Sequence, residues 1–191
     1  MPEQAEPEDL LLTPAEIQSL SNRPLTAALA TALARSATGA VRDHCGWRVA
    51  KTAEETFTLT ARSRTLLAVP SLHLVEVITL TERGRPLIAG IDFDWDENGI
   101  LERIRGTWSS KRRGITVHVR HGYEQCPEGI GQSIATAVAR GTLTPVGNVV
   151  SETTLGASLS FGRGPGGTAA GIMFLPHELA RLDAHRIASS R

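Results

Sequence analysis

The sequence predicts an α+β fold: a small helical bundle with an antiparallel β insertion and a short C-terminal helix. Two observations carry that reading. Near residues 14–45 and 127–141, apolar side chains recur at intervals of three and four, the period of one helix face. From about residue 54 to 120 the texture changes to alternating or β-branched runs punctuated by Gly, Pro and Asn. Helices, then strands, then helices is the order of an α+β chain; a parallel α/β sheet would alternate the two.

The elements follow in order. Residues 1–12 are acidic and Pro-containing at their start and are expected to form a mobile N-terminal extension. In TPAEIQSLSN, Thr13 suits an N-cap, Pro14 the first helical position, and Glu16 completes a capping box, which predicts a short helix over 14–22. The run PLTAALATALARSATGAVRDHC puts Leu25, Ala28, Leu29, Ala32, Leu33, Ala37, Ala40, Val41 and Cys45 on one helical face. That face is rich in alanine, so a neighbouring backbone can approach it closely. In the β region about six short strands are expected, with Asn98-Gly99 as a type I′ hairpin turn between DFDW and ILERI. A second long helix should run from near Pro127 to Gly141, with Ile130, Ile134, Ala137 and Val138 inward. Residues 13–150 then make the core, and 151–191 a C-terminal arm with a possible strand in ASLSFG, a Gly-rich tether and a helix over 176–187 begun by Pro176. No internal repeat is visible.

Composition narrows the function classes. The chain has 191 residues, enough for one domain with extensions. It carries 20 Lys and Arg against 20 Asp and Glu, a net charge of zero, unlike the clear positive excess of a free-standing nucleic-acid binder. Few residues are aromatic, so Trp47, Trp95 and Trp108 are expected to anchor small clusters. Two cysteines make no disulfide framework and fit a reducing compartment. No apolar run approaches the roughly 18 residues of a membrane span, and no signal pattern opens the chain. A soluble, cytoplasmically made protein with no membrane partner is expected.

Candidate chemistry is weighed motif by motif. GRGPGG, residues 162–167, matches a dinucleotide-binding pattern, but Pro165 interrupts it and no βαβ unit surrounds it; a loop is expected. DFDWDENG starts like a calcium loop, yet Glu97 and Arg103 stand where glycine and glutamate are required. A hairpin explains it better, with Asp92, Asp94 and Asp96 on one face and Phe93 and Trp95 on the other. His118 and His121, three apart on a strand, face opposite ways and should not share a metal. No nucleophile elbow is present. No cofactor, metal or catalytic residue is expected. The one compact basic run is SSKRR; its Lys111, Arg112 and Arg113 fit either a solvated turn or a loop facing phosphates.

HCGW, residues 44–47, could hold a reactive or metal-binding group. A helix stop explains it more fully. Cys45 ends the apolar stripe, Gly46 falls where a left-handed residue terminates a helix, and Trp47 packs back on the last turn near Val41 or Arg42. Cys45 is then a buried, inert thiol.

Several strings taken in order carry a resemblance. AVRDHCGWRVA closes the alanine-rich helix; LLAVPSLHLVEVITL is followed by GRPLIAGIDFDWDENGILERIRGTW; ITVHVRHGYEQCPEGI opens the second long helix; SETTLGASLSFG and LPHELARLDAHRI stand near the end. The series, from about residue 27 to 187, resembles the head-to-tail adaptor (connector) proteins of long-tailed bacteriophages, especially those of actinobacteria. Ala184 and His185 depart from the Pro-Tyr of that pattern, and the acidic N-terminus lies outside it.

The resemblance implies a structural virion protein at the head-tail junction, assembled in the host cytoplasm. It would form a homo-oligomeric ring, usually twelvefold, between the portal and the stopper or tail-completion proteins, and packaged double-stranded DNA would pass through it non-specifically. On that reading the C-terminal arm docks on the portal through Leu175, Leu179, Leu182 and Arg186, and removing residues 175–191 should leave a folded protein that no longer joins portal-bearing heads. Lys111, Arg112 and Arg113 would form a loop of the DNA channel. The alternatives are a small DNA-binding or regulatory module using residues 109–113, separable by its salt-steep duplex binding, and a hydrolase, which no residue pattern supports.

Overall fold

Among the described residues, four α-helices and antiparallel β-sheets follow one another in blocks, an α+β fold with a short C-terminal helix. The computed structural model describes residues 10–21, 23–143, 151–154, 157–160 and 172–187. The expected mobility of residues 1–9 and the GRGPGG loop lie outside the described residues.

The helices come first. α1 is Pro14–Leu20, with Thr13 and Glu16 forming the full capping box: Thr13 Oγ1 accepts from the Glu16 N–H, and Glu16 Oε2 accepts from the Thr13 N–H at 2.6 Å. The helix ends two residues before the expected Asn22. α2 is Ala27–Cys45, capped by Thr26. Its buried face is Ala30, Leu33, Ala34, Ala37, Thr38, Val41 and Cys45, whereas Ala28 and Ala32 are exposed and Ala40 is half-buried. The expected stripe was thus rotated. Alanines occur all around this helix and contribute almost no amphipathic signal, so they do not discriminate between faces.

Thr38 belongs to the inner face because it is fully bonded. Its Oγ1 donates to the Ala34 carbonyl at 2.8 Å and accepts from the Leu11 N–H at 3.1 Å. That bond draws the preceding segment inward, so Leu10 and Leu11 are buried rather than part of a mobile extension. α3 is Glu128–Leu143 and packs Ile130, Ile134 and Val138 on the same core as Ile17 of α1. α4, Pro176–Leu182, closes this bundle with Leu182 and runs on into a 3-10 turn, Asp183–His185, so the expected helix over 176–187 is shorter than its apolar pattern.

Seven strands lie between α2 and α3, one more than expected: β1 Ala53–Leu59, β2 Leu66–Ala68, β3 Leu74–Glu82, β4 Arg85–Leu87, β5 Phe93–Trp95, β6 Ile100–Arg103 and β7 Ile115–His121. Three of them have only three residues, too short for alternation to register in sequence. They form a four-stranded sheet, β1-β7-β3-β4, and a three-stranded sheet, β2-β6-β5. A second apolar cluster unites them, with Ile115, Val117 and Val119 of β7 and Leu80 of β3 from one sheet, and Leu67, Phe93 and Leu101 from the other. Trp108 joins this core and Trp47 the helical one; Trp95 packs against the β core from a half-buried position. β8 Ser151–Thr154 and β9 Ala157–Ser160 pair as a separate hairpin, which includes the strand expected in ASLSFG.

The turns between strands differ from expectation. The type I′ geometry falls at Arg83-Gly84 between β3 and β4, where Glu82 pairs with Arg85 and both turn residues have positive φ, 53° and 82°. At Asn98-Gly99 only Gly99 is left-handed, φ 79°, and its N–H bonds back to the Asp96 carbonyl, giving a three-residue loop ending in a bulge. Gly99 has a tertiary reason to be glycine: an added Cβ would lie 2.4 Å from the Ser71 carbonyl oxygen. In β3 the register shifts between Leu74 and Glu76 and between Val77 and Thr79, and the skipped Val75 and Ile78 are exposed.

Candidate functional site

The C-terminal segment meets the end of α2 at the joint between the two cores. α2 stops at Cys45 because Gly46 turns left-handed, φ 78° and ψ 12°, with its N–H bonded to the Arg42 carbonyl at 2.8 Å. A Cβ on Gly46 would meet nothing within 4 Å, so Gly46→Ala is expected to cost about 1 kcal/mol, from backbone conformation alone. Urea unfolding measures it.

The turn after Gly46 aims Trp47 across the joint. Its ring is buried, and Nε1 donates to the His185 carbonyl at 2.7 Å, a partner 138 residues away. One turn back, the Ile187 N–H bonds the Cys45 carbonyl at 2.9 Å, and His44 Nε2 lies 2.9 Å from Asp183 Oδ1. Trp47 therefore secures the C-terminal 3-10 turn and does more than lock its own helix. Cys45 is a free, buried thiol whose Sγ faces the Leu182 carbonyl, and burial pushes its pKa up to about 11. It is chemically quiet at neutral pH.

α4 is held from the other side by Glu178. Its carboxylate is inaccessible to solvent and takes a bidentate pair from Arg140 of α3, at 2.7 and 3.0 Å, while Oε2 also accepts from the Leu175 N–H at 2.7 Å. The Arg140 bond above all, with the Leu175 N–H, holds its pKa below the ordinary carboxylate value against the opposing effect of burial.

These contacts redistribute the four residues expected to dock. Leu182 is fully buried in the bundle and Leu179 packs against it half-buried, so as folded neither presents a docking face. Leu175 and Arg186 are exposed. The segment expected to be a detachable arm contributes to the core, so removing residues 175–191 is expected to expose apolar surface on α2 and α3 rather than leave a fully folded protein.

The joint itself gathers rings from distant strings. Tyr123 stacks on His73, centroids 4.4 Å apart, and meets Trp47 and the edge of His185. Its N–H bonds the Val49 carbonyl, and the adjoining Gly122 N–H bonds the His73 carbonyl. His121 is fully buried beside Phe57 and Trp47, with Nε2 3.1 Å from Glu55 and Nδ1 without a partner. Sequence analysis did not identify this cluster, because Trp47, His73, Tyr123 and His185 lie in four separate strings that only the fold brings together.

Burial lowers the His121 pKa, against the opposing hydrogen bond and charge of Glu55, and burial lowers that of His185. A histidine with a lowered folded pKa stays neutral while the unfolded one protonates. Stability from this source is full above the unfolded value of 6.5 and is lost as pH falls through the folded values. Urea midpoints are expected to fall between pH 7 and 5, and His121→Gln is expected to flatten that dependence. His118 faces the other way, 3.4 Å from Glu54, so the two histidines share no site.

The three aspartates of DFDWDENG serve as turn acceptors. Asp92 Oδ2 takes the Ile88 N–H, Asp94 Oδ1 the Trp95 N–H and Asp96 Oδ1 the Ile100 N–H. Among the described residues no three His, Cys, Asp or Glu side chains gather as a metal-binding group, and no helix is long and apolar enough to cross a membrane. Lys111, Arg112 and Arg113 are exposed in the loop leading into β7, at the end of the β unit away from the joint.

The arrangement defines an α+β chain whose helical core is completed by its own C-terminal segment, a fold matched among solved structures. Neither a protein-family model nor a curated protein sequence matches this chain. A chain in the neck of an empty GTA particle, computed with C6 symmetry, matches with a TM-score of 0.59 at 17% identity, over 99% of this chain and 96% of that one. A chain in the neck of a native GTA particle, computed with C12 symmetry, matches at 0.59 and 18%, over 99% and 95%. A chain in the virion of a native gene transfer agent (GTA) particle matches at 0.59 and 14%, over 95% and 92%. What this chain shares with them is the fold, nearly end to end.

Proposed function

We propose that this chain is a structural protein of the neck of a phage-like particle, present as a closed ring at the head-tail junction. The observation that carries the reading is the end-to-end fold match to chains of GTA necks computed with six- and twelvefold symmetry. The ordered strings described above resemble phage adaptors in sequence and support the same role independently of the fold. Within it, the finer proposal is an adaptor between the portal and the stopper or tail-completion protein, most simply a dodecamer, with packaged DNA passing through its channel.

The C-terminal segment supplies the proposed portal contact in revised form. Leu179 and Leu182 hold the segment in place, and the exposed Leu175 and Arg186 face the partner. Met173, two residues before Leu175, is 60% exposed and adds apolar surface beside it.

Particles produced without this chain test the reading. DNA-filled heads lacking tails are expected in electron micrographs, restored to tailed particles by supplying the chain in trans. Normal tails in its absence would defeat the proposal. A Leu175→Glu, Arg186→Glu variant, folded by circular dichroism, is expected to complement poorly.

A further inference from the structure

Charge is distributed unevenly over this neutral chain. At the end of the β unit away from the joint, three connections present exposed cations. Arg62 and Arg64 lie between β1 and β2, Arg83 is in the β3-β4 turn with Arg85 just after it, and Arg105 and the run Lys111 to Arg113 share the connection from β6 to β7. Together they are eight of the chain's 20 lysines and arginines.

Hydrogen bonds hold these loops in one surface. The Trp108 N–H and Nε1 donate to the carbonyls of Arg64 and Thr65, both at 2.8 Å, and the Arg103 N–H also reaches Thr65. The Arg113 N–H donates to Thr60 Oγ1 at 2.8 Å, and the Arg83 N–H to the Gly114 carbonyl at 2.7 Å. The nearby acid Glu82 is already engaged, by the Ser109 N–H at 2.6 Å and by Arg103 at 3.3 Å. Arg103 also lies over the Trp108 ring, so the buried indole stiffens the base of the tip.

Two of the cations occupy costly backbone positions. Arg83 and Arg113 have φ of 53° and 51°, where Gly or Asn would be easier. Strained residues at a surface suggest that the side chain itself is used.

We infer that this tip is a contact surface for the phosphate backbone of duplex DNA, broader than the Lys111–Arg113 run and reading charge rather than sequence. Cations on several loops match the repeated phosphates of a duplex, and the Ser63, Ser109 and Ser110 hydroxyls among them can add neutral phosphate bonds. Ile104, 49% exposed at the same end, is the feature a protein partner would use instead. A channel wall and a free-standing DNA-binding module would both use this tip, so duplex binding does not separate those two readings; the particle complementation described above does, and the two tests can fail separately.

The test is fluorescence anisotropy of the purified full chain with a 30-base-pair duplex of arbitrary sequence, across a salt series. Binding is expected at low salt, weakening log-linearly as salt rises. A Lys111→Ala, Arg112→Ala, Arg113→Gly variant is expected to weaken low-salt binding at least ~10-fold and to reduce the salt slope by about 3, near 0.9 per lost phosphate contact. Arg83→Gly, which also relieves backbone strain, is expected to weaken binding without destabilising the fold. Arg35→Ala, an equal charge loss on the exposed face of α2, is expected to change neither affinity nor slope. No binding at low salt, an unchanged slope in the triple variant, or an equal loss with Arg35→Ala would overturn the inference. So would tighter binding of polyglutamate than of the duplex at equal charge concentration, which would assign the tip to an acidic protein.

Discussion

Leu182→Ala is expected to lower the free energy of unfolding by about 4 kcal/mol, toward the upper part of the range for a buried leucine. Leu182 has no solvent exposure and packs in the core shared with α2 and α3. α4 has seven residues, too few to hold helical structure without its anchor. The cavity would therefore also weaken the attachments on either side, namely the Trp47–His185 bond, the Ile187–Cys45 bond and the Glu178–Arg140 pair. Urea unfolding at constant m-value measures the loss. Tryptophan emission, to which Trp47 contributes beside Trp95 and Trp108, is expected to begin shifting to the red below the global transition. Leu175→Ala, on the exposed rim of the same segment, is expected to stay within about 0.5 kcal/mol of wild type. If the two substitutions cost the same, the segment is not anchored as described.

Arg140→Ala is expected to cost about 3 kcal/mol, the lower bound for stripping the partner from a buried charge, because the Arg140 side chain is itself 36% exposed. The cost comes from Glu178, whose carboxylate would remain buried with only the Leu175 N–H as a described partner. Its response to pH has a definite sign. With its pKa lowered in the fold, Glu178 adds stability that is fully present above the unfolded value of 4.5 and is lost as pH falls through the folded value. In Arg140→Ala the carboxyl is expected to rise instead, so that mild acid relieves the defect. A smaller stability gap between variant and wild type at pH 4 than at pH 7 checks this.

Local chemistry was legible in the sequence wherever one segment determines the outcome. The Thr13–Glu16 box, the Gly46 stop and the opposite facing of His118 and His121 each depend on a few neighbouring residues and on backbone geometry. Legibility failed where partners are distant or the signal is shared. Alanines on several faces of α2 obscured which face turns inward, and Thr38 joined the core through a bond to Leu11 that no helical period encodes. Arg83-Gly84 took the type I′ turn because strand register set the loop there at two residues, although Asn98-Gly99 carries the stronger local signature.

The functional surfaces show the same division. Lys111 to Arg113 stand out as a run, but the wider basic tip appears only when three connections are brought together. Leu179 and Leu182 have the spacing of an amphipathic docking helix, and that spacing is equally what an internal anchor requires. The bonds from Trp47 to His185 and from Arg140 to Glu178 decide between these uses, and both span many residues of sequence.

The central claim is that this chain forms a ring in the neck of a phage-like particle. The most direct measurement is electron microscopy of intact particles assembled with a gold-binding tag on the chain. The account predicts a single cluster of label per particle, confined to the junction of head and tail, with averaged density showing a closed ring of the chain around the DNA channel. Label scattered over the head shell or along the tail, or particles that carry none of the chain, would contradict it.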